Sequence, residues 1–332
     1  MSEMTLLITQ EQVKSLLDMP TTLKIVERVY RSHGEGKVVM PTKITLDLGE
    51  GRPWPPYKGF MNAMPVYLGD ADIAGIKWAG GFQDNYKIGL PYISAMILLI
   101  NPKNGTFLAA MDGAYITAIR TGAASAVCAK VLARKDASML GIIGAGVQGR
   151  MHLRAFQQVF KLKEVRVFDI KEGAAEKYRE EMTAELGLNI LPKRSYQEVV
   201  EGADVICTVT IGDEPMVKKE WLKKGSLIIS VGSYQELDPD VVLSADKIVV
   251  DHWGQASHRG ELAKLVEAGK IGEKNIHAEI GEILCGKKKG REREDENILA
   301  VPIGLGSVDI GCAFAVYRKA LDKKIGTPFS FI

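Results

Sequence analysis

Cysteine is scarce in this chain, and the four present, Cys128, Cys207, Cys285 and Cys312, are scattered. No CxxC pair occurs, so neither a zinc ribbon nor a dithiol redox centre is indicated. Four isolated thiols fit a reducing cytoplasm. Net charge is small as well: 43 Lys and Arg against 41 Asp and Glu leave +2. That balance predicts no nucleic-acid partner and no membrane surface. The one dense basic run, Lys287-Lys288-Lys289-Gly290-Arg291, is followed by Glu292, Glu294, Asp295 and Glu296, and reads as a solvated loop. The longest apolar run, Ile93 to Ile100, is too short to span a bilayer. The N-terminus lacks the basic, apolar and small-residue succession of a signal peptide. The five histidines, His33, His152, His252, His258 and His277, form no metal-ligand spacing. No metal is expected. HExxH and GxSxG are both missing, which argues against a zinc protease and a serine hydrolase.

What is present is an ordinary globular composition, 46% hydrophobic and 25% charged over 332 residues, enough for two domains. The most informative stretch is Gly144-Ala145-Gly146-Val147-Gln148-Gly149. An apolar strand, Ser138 to Ile143, leads into it. A helical stretch, Val147 to Phe160, leaves it. A second strand, Val165 to Phe168, ends on Asp169, twenty residues beyond Gly149. This is the context a dinucleotide needs. Gly144 allows a tight turn, Gly146 lets backbone approach the pyrophosphate, and Gly149 lets helix and strand pack closely. Asp169 would accept hydrogen bonds from the adenosine ribose and repel a 2′-phosphate, which favours NAD over NADP. Further apolar strands at 203–210, 226–231 and 246–250 alternate with helical stretches. That pattern predicts a doubly wound α/β Rossmann domain. The end of its 203–210 strand, with Thr208 and Val209, should face the nicotinamide side.

The N-terminal half reads differently. Thr9 to Gln12 is a capping box that opens a short helix stopping near Pro20, and a second helix is expected over 22–33. Strands are expected at 43–48, 73–78, 93–100 and 106–111, the last two joined by the hairpin signal Asn101-Pro102-Lys103-Asn104-Gly105. A linking helix rich in small residues spans 116–132. Its Arg120 is placed near the helix start, where an anion would gain from the guanidinium and from the N–H groups of Thr121 and Gly122. The residues alone leave that open against an Arg paired with a carboxylate such as Asp112. Lys77 lies within a strand beside Trp78. Outward, it is commonplace; inward, it calls for a partner or a function.

Four stretches together resemble the ornithine cyclodeaminase/mu-crystallin family, which includes archaeal alanine dehydrogenases and ketimine reductases. They are Met64-Pro65 leading to Gly75-Ile76-Lys77, the run Thr117-Ala118-Ile119-Arg120-Thr121-Gly122-Ala123-Ala124-Ser125-Ala126, the glycine loop 144–149, and Ser230-Val231-Gly232-Ser233. Gly304-Leu305-Gly306-Ser307-Val308-Asp309 is similar to the family's closing motif. The resemblance implies a Rossmann NAD-binding domain (119–311) inserted in a discontinuous α+β substrate and dimerisation domain (1–118 plus 312–332), acting as a cytoplasmic homodimer. It implies NAD(H)-dependent oxidation or reduction at the Cα of a small amino or imino acid. Lys43, Lys77 and Arg120 match the family's carboxylate anchors, and Lys77 is also its proton-handling lysine. Thr121, Val147, Gln148, Val231, Gly232 and Asp309 join the glycine loop, Asp169, Thr208 and Val209 as expected cofactor contacts. Two departures are visible. The Asp that follows the Val-Gly turn in cyclodeaminases is replaced here by Tyr234 after Ser233, and the Glu that holds ornithine's distal amine is replaced by Asn62. An aromatic and proline-rich insertion, Arg52 to Tyr57, stands near the same pocket in sequence. The alternatives are a true ornithine cyclodeaminase, with no net NAD turnover, and a non-catalytic crystallin-like binder of NAD and a small ligand.

Overall fold

The computed structural model describes residues 4–49, 53–212 and 214–331, with Tyr86 by its backbone alone. Arg52 of the aromatic insertion lies outside the described residues. The chain divides into two compact units, Met1–Arg120 with Leu305–Ile332, and Thr121–Gly304. The return to the first unit therefore comes at Leu305, earlier than the sequence-based boundary after residue 311. The reason is a continuous closing helix, Gly306–Lys323, whose Gly311 meets Ile25 and Val29 of the first unit.

In the first unit, β1 (Thr5–Ile8) runs to Thr9, whose capping box with Gln12 opens α1 (Gln10–Leu16). The next helix, α2 (Met19–Gly34), starts earlier than expected because the Asp18 carboxylate caps the Thr21 N–H at 2.8 Å. Pro20 sits in its first turn, where the missing N–H costs nothing. There follow β2 (Val38–Val39), β3 (Ile44–Asp47), β4 (Gly59–Leu68), β5 (Ile73–Phe82), β6 (Ile93–Ile100) and β7 (Phe107–Asp112). Then comes α3 (Ala114–Leu132), within which the chain leaves the first unit after Arg120. The eight-stranded sheet has the order closing strand (Thr327–Phe329), β1, β7, β6, β5, β4, β2, with β3 also on β4. Only the β1–β7 pair is parallel among these described strands.

Pairing of β4 with β3 stops at Ala63 and resumes with β2 at Tyr67. Pro65 falls in that gap, where a missing N–H breaks no ladder on that side. The cross-strand register aligns Met64, Lys77, Ile97 and Met111 on one face of the sheet. All four are buried, and the closing helix packs on β4, β5 and β6. A Cβ on Gly75 would come within 2.9 Å of Ile310, so glycine there sets the helix-to-sheet distance. The opposite face carries Ile44, Leu46, Trp78 and Met96, each at least 44% exposed.

The second unit contains β8 (Met139–Ile143), α4 (Val147–Phe156), β9 (Glu164–Phe168), α5 (Ala174–Leu186), β10 (Ile190–Pro192), α6 (Tyr196–Val200), β11 (Val205–Thr208), β12 (Leu227–Ser230), α7 (Pro239–Leu243), β13 (Lys247–Val250), α8 (Trp253–Ala256), α9 (Ala263–Glu267), β14 (Ala278–Glu279), α10 (Ile280–Leu284) and β15 (Ile298–Val301). Its sheet is parallel, in the order β10-β9-β8-β11-β12-β15-β13-β14. Strand order reverses between β8 and β11. In such sheets ligands bind beyond the carboxyl ends of the strands at that switch.

Candidate active site

Within the first unit, three charged side chains meet in a dry interior. Lys77 Nζ lies 2.8 Å from Asp309 Oδ2, and Arg120 Nε lies 3.0 Å from Asp309 Oδ1. Lys77 is 2% exposed, Arg120 6% and Asp309 0%. The Thr117 hydroxyl stands 3.4 Å from Lys77 Nζ and donates to the Gly113 carbonyl at 2.7 Å. Strand alternation explains Lys77: it shares the covered face with Met64, while Trp78 turns to the open face. The lysine is therefore inward, and Trp78 is not its neighbour in burial.

Arg120 is placed differently from the sequence-based reading. It lies well inside α3, so the N–H groups of Thr121 and Gly122 belong to the helix interior and form no terminal anion site. Its partner is Asp309, not Asp112. The Asp112 carboxylate instead accepts from the Ala114 and Tyr115 N–H groups at the start of α3. Asp309, expected as a cofactor contact, has its two oxygens on Arg120 and Lys77 and no exposed surface. The closing motif thus supplies the acid that keeps two cations buried, since charges out of water require pairing. Because Asp309 takes Nε, the Nη edge of Arg120 is the edge suited to a ligand carboxylate.

Asn62 is buried, 7% exposed, on the same face as Lys77, and its Oδ1 accepts from Thr45 Oγ1 at 2.7 Å. Lys43 directly precedes β3 and is half-buried. Trp54 and Tyr57 of the aromatic insertion are exposed.

Within the second unit, the glycine loop joins β8 to α4. Gly144 has φ +110°, a backbone state only glycine adopts readily. A Cβ on Gly149 would lie 2.2 Å from the Gly144 carbonyl oxygen, so any side chain there would force loop and helix apart. Beside Gly146 nothing lies within 4 Å, and this open space is where a phosphate can approach backbone. The cradle fits a dinucleotide. Asp169 follows β9, and its carboxylate accepts from the Ala145 N–H at 2.8 Å and the Lys171 N–H at 2.9 Å. The acid is thus aimed at the loop by the loop's own backbone. An open cavity of about 490 Å³ adjoins it, lined by Ala145, Val147, Lys171 and Gly173 among others. Val147 is 64% exposed at the start of α4.

Behind the loop, His152 is fully buried. Its Nδ1 lies 2.8 Å from the Gln148 carbonyl and its Nε2 2.9 Å from Ser125 Oγ. A carbonyl only accepts, so Nδ1 carries the proton and Ser125 donates to Nε2. Burial lowers this imidazole's pKa to about 4. His152, one of the five histidines without metal-ligand spacing, is linked to the loop through an i, i+4 spacing on α4.

Thr208 ends β11, and Val209 follows it, its N–H bonded to Ile143 O at 2.9 Å. Val231 and Gly232 follow β12, and Gly232 has φ +114°. Tyr234 is half-buried in the same turn. The Ser233 hydroxyl accepts from Arg259 Nε at 2.6 Å. Glu236, not singled out in the sequence, is 1% exposed and bonded to Thr210. Among the described residues no group of three His, Cys, Asp or Glu is arranged to hold a metal. None of their helices is long and apolar enough to cross a membrane.

The family model of the ornithine cyclodeaminase/mu-crystallin family matches residues 3–324. Alanine dehydrogenase of Archaeoglobus fulgidus is 38% identical over 331 residues, spanning 98% of each chain. An archaeal alanine dehydrogenase dimer with bound NAD superposes with a TM-score of 0.92 at 38% identity, covering 99% of this chain and 100% of that one. The Δ1-pyrroline-2-carboxylate reductase of Thermococcus litoralis, solved with NADH and L-proline, also gives 0.92 at 38% identity, covering 97% and 99%.

Proposed function

The chain belongs to the ornithine cyclodeaminase/mu-crystallin family, and from that premise we propose that it is an NAD-dependent oxidoreductase acting at the Cα of a small amino or imino acid. The observation that carries the substrate half is the buried Lys77–Asp309–Arg120 cluster. Two cations facing one acid suit a ligand that brings a carboxylate.

When bound, NAD supplies a hydride acceptor, or NADH a donor, at C4 of its nicotinamide. The glycine loop 144–149 would hold the pyrophosphate and Asp169 the adenosine ribose. Thr208, Val209, Val231 and Gly232 stand at the strand ends that border the nicotinamide in this fold. Arg120 would grip the substrate carboxylate through its Nη edge, with Lys43 as a second anchor. Lys77 would hydrogen-bond the substrate nitrogen or carboxylate and pass a proton at its Nζ, with Asp309 and Thr117 holding that atom in place. Tyr234 is the candidate for the second proton-handling group.

Substrate size follows from Asn62. It is neutral and buried, so it offers no counter-charge to a distal ammonium. That favours alanine with pyruvate and ammonia, or proline with its cyclic imine, over ornithine. We assign a second copy of the chain to the open face bearing Ile44, Leu46, Trp78 and Met96, because four large apolar residues are exposed on that one face of the sheet.

The test is a spectrophotometric panel. NADH is offered with pyruvate plus ammonia and with five- and six-membered cyclic imino acids. NAD is offered with alanine, proline, lysine and ornithine. Net nicotinamide absorbance change with a neutral substrate is expected. Ammonia release from ornithine without NADH build-up would instead mark a cyclodeaminase, and ligand-induced thermal shifts without turnover would mark a binder.

A further inference from the structure

We infer that Glu236 is a positioning residue that exchanges a proton within the working pH range and, in its protonated form, ties the carboxyl-terminal ends of β11 and β12 together. Its Oε1 accepts from the Thr210 N–H at 2.8 Å and the Thr210 hydroxyl at 2.5 Å, two residues beyond β11. Its own N–H donates to Glu261 Oε2 at 2.9 Å, and Glu261 also accepts from Ser230 Oγ at 2.8 Å, the last residue of β12. The Leu237 N–H reaches Glu261 Oε1 at 3.3 Å. One residue therefore links both strand ends, and the turn bearing Val231, Gly232 and Tyr234 hangs between these attachments.

The two acids are not equivalent. Glu261 has three donors and is suited to hold a charge. Glu236 Oε2 is buried, with the Thr208 hydroxyl facing this carboxyl and no well-formed hydrogen bond between them. A buried carboxylate oxygen with one poorly placed hydroxyl and a second carboxylate beside it is an unfavourable place for charge, so of the two acids Glu236 is the one that takes up a proton. Burial, with Glu261 adding to it, raises the Glu236 pKa to about 7 against the hydrogen bonds from Thr210 and Thr208. The other titratable groups facing it are the Cys207 thiol on β11 and the Tyr196 phenol on α6, both held neutral by burial. Ionisation at alkaline pH would place a second negative charge beside Glu261 and loosen the turn.

The consequence for NADH rests on the oxidoreductase reading, but the protonation state does not. Difference infrared spectra of the cofactor-free protein between about pH 6 and pH 9 test it directly. A protonated-carboxyl carbonyl band that vanishes on alkalisation is expected in the wild type and not in Glu236→Gln. NADH affinity, read by fluorescence titration, is expected to weaken on the order of tenfold over the same range in the wild type and to stay level in Glu236→Gln. Thr210→Val, which removes one donor to the carboxylate, should move that decline to higher pH. The inference is overturned if no acid band is lost on substitution, or if the two proteins' binding profiles run parallel. An infrared band without any dehydrogenase activity would sink the oxidoreductase reading and leave this one standing.

Discussion

Acidification should unlock the dinucleotide loop from behind, through His152. The imidazole is fully buried, donates from Nδ1 to the Gln148 carbonyl and accepts from Ser125 at Nε2. Its folded pKa is lowered by burial from 6.5 to about 4. The unfolded chain therefore takes up a proton below about pH 6.5 while the folded chain does not. Stability is full above that pH, falls as pH drops, and levels off only below about pH 4. The gap amounts to about 3 kcal/mol once both forms are protonated, and about 2 kcal/mol of it is already lost by pH 5. Protonation also puts an N–H on Nε2, where Ser125 must stop donating and begin to accept. The assay is urea unfolding of the wild type and of His152→Gln at a series of pH values. Carboxylates contribute to both proteins, so the difference between the two curves isolates the histidine. The wild type should lose about 2 kcal/mol relative to the variant between pH 7.5 and pH 5. Parallel curves would refute the buried neutral imidazole and the tautomer assigned to it.

Asp169→Ala should weaken NAD binding more than NADP binding in a fluorescence titration, because it removes the carboxylate we propose bonds the ribose and repels a 2′-phosphate. An unchanged preference would remove Asp169 from that role. Lys77→Ala should abolish turnover while NAD still binds, and should cost about 3 kcal/mol in chemical denaturation, because one side of the Asp309 carboxylate is left unpaired in the interior. Full activity would take Lys77 out of the mechanism. Gly149→Ala should lose NAD affinity by at least about tenfold in the same titration, since its Cβ would meet the Gly144 carbonyl oxygen at 2.2 Å. Wild-type affinity would mean that the loop can shift without consequence.

The dinucleotide half was legible because its signals are local. Strand, glycines, helix and acid follow one another within 138–169, and the parallel strands are continuous apolar runs. The substrate half was legible only in pieces. The ten-residue β4 escaped notice because Pro65 reads as a break, and only the gap between β2 and β3 lets it stay in a strand. Lys77 could be given a face only once the register with Met64 was known. Asp309 is 232 positions from Lys77 along the chain, and nothing local announces that pairing. The start of α3 was placed late, and this made Arg120 look terminal. The Glu236–Glu261 pair is likewise a meeting of distant segments whose individual letters are unremarkable.

Charge counting in the Lys77, Arg120 and Asp309 cluster has a consequence for ligand traffic. Two fixed cations against one fixed anion leave the interior with a surplus of one positive unit. A monoanion restores neutrality on arrival and strands that surplus on leaving, so release is the uphill half of the exchange. Simple carboxylates with no reactive nitrogen should then occupy the same seat, and acetate or lactate in a buffer would act as a competitor rather than a bystander.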